Sequence, residues 1–139
     1  MAFGEAEAAA ILERQPTEVA AIVDQLRRLT SKPGENSFLV VSADDYYIQF
    51  LSLPRKRSLA VEAISNAFLS KKSQIGEAAT QELLGLGFAL PDPGFNFSME
   101  YELQNDSDYT VLAVMTLAAL FDIYRCPQGT KLAFELNLE

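Results

Sequence analysis

The sequence contains no histidine, and that absence removes most familiar chemistry at once. Ser-His-Asp and Cys-His nucleophile pairs, imidazole proton transfer and every histidine-containing metal site are excluded. The lone cysteine, Cys126, precedes Pro127 at the expected end of a helix. A reactive thiolate wants a cation or a helix N-terminus beside it. Arg125 is adjacent, but a helix C-terminus carries the opposite dipole sign. Cys126 therefore reads as a small core residue.

Carboxylates gather at Asp44-Asp45, Glu100/Glu102 and Asp106/Asp108. Glu100 and Glu102 share one face of an expected strand and could flank a substrate, although acids on a solvated strand face are the ordinary case. The stretch NDSDYT imitates the start of a calcium loop. No glycine follows at the sixth position, however, and Leu117 stands where the bidentate glutamate belongs. It reads as a helix cap. The glycines match neither the dinucleotide fingerprint nor the Walker spacing, so no phosphate cradle is expected. No residue set calls for a metal or a cofactor.

One cationic run stands out, PRKR at Pro54–Arg57, in a chain with a net charge of −8. It could hold an anion or form the solvated tip of a β-hairpin. Nucleic-acid sites spread cations over a face and interleave aromatics, and this loop has none. The hairpin tip is preferred. The acidic balance argues against nucleic acid and against anionic membrane as partners. No window reaches the length of a membrane span. Acids stand where a signal peptide would carry Lys or Arg, and one cysteine suits a reducing compartment, so a cytoplasmic protein is expected.

Several elements must carry these residues. FGEAEAAAILER (3–14) is helix-prone, and Pro16 interrupts it, with Thr17 as a candidate N-cap. Val19, Ile22, Val23, Leu26 and Leu29 then form one apolar helical stripe, closed by Pro33-Gly34. The period next changes to that of strands in SFLVVSA (37–43), DYYIQFLSL (45–53) and SLAVEAI (58–64). Short connections predict an antiparallel meander. The first of these strands is apolar on both faces, as an inner strand would be.

A helix follows near 75–87, ended by Gly85 and Gly87, and then the turn PDPG. FNFSMEYEL (95–103) places Phe95, Phe97, Met99, Tyr101 and Leu103 on one side. A buried helix with acidic caps spans 106–124, and KLAFELNLE (131–139) turns Leu132, Phe134, Leu136 and Leu138 inward. The expected fold is α+β, a mainly antiparallel sheet of about five strands with helices packed on it. One domain covers 1–139, with N-terminal helices over 1–35 and the α+β core over 36–139.

Four segments in order carry a resemblance: YYIQF (46–50), VEAISNAFL (61–69), LLGLGFALPD (83–92) and FNF (95–97). Together they resemble the bacterial peptide-binding chaperone family that unites type III secretion chaperones with YbjN-like proteins. The likeness covers about residues 36–136. Phe88 stands where that family more often carries Trp, and Pro54–Arg57 are unusually basic for the loop. The resemblance implies a secretion-chaperone-like fold, often a homodimer, that accepts a segment of a partner protein and performs no catalysis.

On that reading Tyr47, Gln49, Glu62, Ser65 and Asn66 are the candidate peptide-binding residues, as polar positions within apolar, ordered strands. Ser65-Asn66 could equally end a strand through side-chain-to-backbone bonds, and Gln49 could simply face Glu62 across a hairpin. The leading expectation is a cytoplasmic, non-enzymatic peptide- or protein-binding module that leaves an apolar patch of several hundred Å² on its surface. The alternatives are a regulatory domain sensing a small ligand in a closed apolar pocket, and a carboxylate enzyme built on Glu100, Glu102 or Glu62.

Overall fold

In the computed structural model, Glu5–Arg14 form α1 and Pro16–Ser31 form α2. The structure describes residues 4–31, 36–53 and 56–138, so Phe3, the Pro33-Gly34 stop and Pro54-Arg55 lie outside the described residues. Gln15 closes α1 through its backbone N–H to the Ile11 carbonyl, and Pro16 opens α2. Proline suits the first helical position because its missing N–H would have had no partner there. Thr17, expected as the cap, is instead already helical. Val19, Ile22, Leu26 and Leu29 of α2 are buried, as their spacing required.

Three strands follow, β1 (Phe38–Ala43), β2 (Tyr46–Leu53) and β3 (Ser58–Ala63). Asp44-Asp45 turns the first hairpin, with Asp44 at φ +53°, a left-handed conformation that Asp tolerates better than most residues. Leu53 pairs with Ser58, which places the described Lys56 and Arg57 at the end of the β2–β3 hairpin. Lys56 and Arg57 are exposed there, and Lys56 Nζ stands 3.6 Å from a Glu100 carboxylate oxygen. The described half of PRKR thus sits at a solvated hairpin end.

Helix α3 (Glu77–Gly85) connects β3 to β4 (Phe97–Glu102). Helix α4 (Ser107–Leu117) continues as a π-helical segment over Ala118–Ile123, and β5 (Ala133–Asn137) closes the chain. The five strands make one sheet in the order β4-β3-β2-β1-β5, every neighbouring pair antiparallel. The fold is α+β, as expected.

Helices pack on one face of this sheet. Leu39, Val41, Ile48, Phe50, Leu59, Val61 and Ala63 point into it and are fully buried. Helix α2 lies against β1 and β5, α4 packs on α2 and α1, and the π-helical segment reaches β2 and α3. Enclosure from several sides explains why α4 and its π-helical continuation are apolar nearly all round, with Leu112, Met115, Leu117 and Leu120 excluded from solvent. Burying each such side chain contributes about 1.5–3 kcal/mol. Arg27 of α2 holds Asp106 with both guanidinium nitrogens and lies 4.8 Å over the Tyr109 ring, tying α2 to the start of α4.

Three expectations need correction. Phe95 does not begin a strand; its N–H bonds the Asp92 carbonyl within the PDPG turn, and the side chain is 66% exposed. Leu138 lies beyond β5 and is 39% exposed rather than inward. Asp106 makes no capping bond to the first turn of α4. Asp108 instead reaches back to accept the N–H groups of Gln104 and Asn105 and the Tyr101 hydroxyl. Burial works to raise its pKa, but those donors together hold Asp108 below the ordinary carboxylate value.

Candidate functional site

The second face of the sheet carries the candidate residues Tyr47, Gln49 and Glu62. Because side chains alternate, the strand positions between the buried ones point away from the helices. The register sets Glu100, Ala60, Leu51, Phe38 and Asn137 side by side in one line across the five strands. The next line carries Ser98, Glu62, Gln49, Val40 and Glu135. Phe38, Val40, Leu51 and Ala60 are neither buried nor freely exposed, while Glu100, Glu102 and Glu135 stand out in solvent. An apolar centre on β1, β2 and β3 is therefore bordered by carboxylates on both edge strands. Strand β1 is inner by pairing, yet its second face remains open.

At one end of this face a polar cluster forms around Asn96. Its side-chain carbonyl accepts the Ser65 N–H at 2.9 Å. Its amide donates to the Tyr47 hydroxyl at 3.1 Å and to a Glu62 carboxylate oxygen at 3.3 Å. The Ser65 hydroxyl donates to the Phe95 carbonyl at 2.7 Å. Tyr47, Glu62 and Ser65 are thus brought onto one amide, and Gln49 sits opposite Glu62 in the β2–β3 ladder.

Asn66 lies just beyond, where its side chain donates to the Ile75 carbonyl and accepts the Ile75 N–H at 2.8 Å. That pair of bonds closes the 66–75 loop. The side-chain-to-backbone bonds considered for Ser65-Asn66, and the cross-strand meeting of Gln49 with Glu62, are therefore both present.

Sequence reasoning missed Asn96 and the apolar centre. Asn96 was legible only as an outward strand residue, because its three partners lie 31 to 49 positions away. Phe38 and Val40 leave a trace in the double-sided apolarity of 37–43, which by itself reads as an inner strand, whereas nothing around Leu51 marks it as open.

Other groups offer less chemistry. Cys126 is buried, its thiol donates to the Ala43 carbonyl at 3.3 Å, and burial pushes its pKa up to about 11. A neutral buried thiol is a poor nucleophile. Glu100 and Glu102 occupy the edge strand in solvent rather than the floor of a cleft. Among the described residues no three His, Cys, Asp or Glu side chains are grouped to hold a metal. A cleft of about 380 Å³ between α1 and α4, lined by Ala8, Leu12, Thr110, Val111 and Val114, is apolar, and Leu12 at its wall is 39% exposed. No described helix is long and apolar enough to cross a membrane.

A family model described as T3SS (YopN, CesT) and YbjN peptide-binding chaperone 3, TY-Chap3, matches residues 17–137. The chain belongs to this family. All five strands, helices α3 and α4 and all of α2 but its first residue, Pro16, lie within the TY-Chap3 match, whereas α1 precedes it. The match also takes in α2, which the resemblance over 36–136 had not included. No curated protein and no solved structure matches the chain.

Proposed function

We propose that this TY-Chap3 chain is a non-enzymatic module that holds a peptide segment of a partner protein on the open face of its sheet. One observation carries the reading: Phe38, Val40 and Leu51 stand on the uncovered side of inner strands. A sheet with one solvated face normally alternates apolar inside with polar outside. Apolar residues held on the wet side leave surface that a partner would bury with gain.

Tyr47, Gln49 and Glu62 supply hydrogen-bonding groups beside that centre, and Ser65 and Asn66 shape its end. The family's peptide-binding character supports the assignment. So does the chemistry of the available groups, since the thiol is buried and the strand carboxylates are solvated. A chain rich in acids fits a protein client better than nucleic acid or an anionic membrane, and the single buried cysteine fits a reducing cytoplasm. The expected homodimer has a candidate seam in β5, since no strand pairs with its outer edge among the described residues.

The test is co-purification of the tagged chain from nuclease-treated lysate of its host. A protein should accompany it at near one-to-one ratio. Leu51→Lys and Gln49→Ala should each reduce that recovery by about fivefold or more while leaving the melting curve close to wild type. An empty preparation, or a companion indifferent to both changes, overturns the reading.

A further inference from the structure

Resting on the peptide-holding reading, the charge and width of the open face define the segment it takes. We infer that the occupant is an amphipathic helix of a partner protein whose apolar stripe is flanked by Lys and Arg. Carboxylates border the apolar centre on both sides, Glu62, Glu100 and Glu102 toward β4 and Glu135 on β5. A bound apolar segment with cationic flanks meets opposite charge along both margins, whereas an acidic one meets repulsion.

The dimensions select a helix. From β4 to β5 are four strand spacings, about 19 Å. A helix is about 10–12 Å across with its side chains, so one lying over β2 covers the apolar centre. Lys or Arg on its flanks then extend the few remaining ångströms to the edge strands while their stems stay on apolar surface. An extended strand presents one narrow row of side chains and leaves at least one acidic margin unmet. A second copy of this chain is the wrong occupant, because two such faces stacked together bring their carboxylates into opposition. Lys56, 3.6 Å from a Glu100 carboxylate oxygen, sits at one end of the face, and among the described residues Glu62, Glu102 and Glu135 have no salt-bridge partner to displace.

Three fluorescein-labelled peptides of about eighteen residues, five helical turns, test this by anisotropy titration at low and high salt. One places Leu at helical spacing with Lys flanks, one has the same composition in strict alternation, and one replaces every Lys by Gln. The helical Leu/Lys peptide should bind about tenfold tighter than either other peptide, and salt should weaken it. Glu100→Gln with Glu135→Gln should weaken it about fivefold, and Leu51→Ser at least as much. The change Glu5→Gln with Glu7→Gln, on α1 and away from the face, should leave it unaltered.

Equal weakening by the α1 change would mean diffuse charge attraction and overturns the inference. Equal binding of the Gln peptide removes the cationic flank, and preference for the alternating peptide removes the helix. Either result overturns the inference while a client lost on Leu51→Lys still stands for peptide holding. A dimer of the free protein that Leu51→Ser dissociates would make a second copy the occupant, which also overturns it.

Discussion

Asn96 is the side chain on which the polar end of the open face depends. A single amide there supplies the acceptor for the Ser65 N–H and the donor for both Tyr47 and Glu62. Removing it leaves a part-buried N–H without its acceptor, and such losses cost more than the bond itself contributes. Asn96→Ala is expected to destabilise the fold by about 1–2 kcal/mol, read as a lower midpoint in urea denaturation with unchanged slope. Unchanged midpoint would show that water replaces all three bonds. Tyr47, Glu62 and Ser65 were legible in the sequence as polar positions in apolar surroundings. The residue that gathers them was not, because an asparagine beside a turn has many local explanations and nothing nearby in sequence points to partners dozens of residues away.

At the scale of elements, the end of α3 shows how a local rule sets up the sheet. The Phe88 N–H bonds the Leu83 carbonyl and the Gly87 N–H bonds the Leu84 carbonyl, with Gly87 at φ +112°. This is the helix ending that favours glycine after the last turn, with an apolar contact from the following residue back onto the helix. Leu83 and Phe88 are both buried, and Ala89 then bonds across to Ser98 of β4. Gly87 is therefore the working stop, while Gly85 is still helical and its added Cβ would meet nothing within 4 Å. Gly87→Ala is expected to cost about 1–2 kcal/mol, since a side chain at positive φ is strained. Gly85→Ala is expected to gain a few tenths to about 1 kcal/mol from helix propensity. Paired urea denaturation of the two variants checks both signs, and equal effects would contradict this assignment of the helix end.

The whole molecule stores its pH sensitivity in groups that burial keeps neutral. Burial pushes the Tyr101 hydroxyl up to about 12 and the Cys126 thiol up to about 11, and drives the Tyr124 hydroxyl higher still. Each of these groups binds its proton more tightly when folded than when unfolded. Their contribution is therefore intact below the unfolded pKa and is lost as pH rises towards the folded one. For Cys126 the loss starts near 9.0, ahead of the tyrosines at 10.0. The melting temperature should be level through neutral pH and fall above about pH 9. Cys126→Ser, which keeps a donor toward the Ala43 carbonyl, should move the onset of that fall upward by about one pH unit. An onset unchanged by the substitution would show that the thiol plays no part.

The sequence by itself determined the α+β class, the five strands, the buried central helix and the family, because each rests on local period, turn chemistry or motif order. The apolar stripe of Val19, Ile22, Leu26 and Leu29 could serve only as a helix face, and the alternation of Phe97, Met99 and Tyr101 only as a strand face. Tertiary structure alone decided that the order is β4-β3-β2-β1-β5, with one face covered and the other open. Apolarity on both sides of β1 states that both sides prefer to be buried, but not whether this chain or a partner buries them. That question is settled by where the helices pack. They cover Leu39 and Val41 and leave Phe38 and Val40 on the open face.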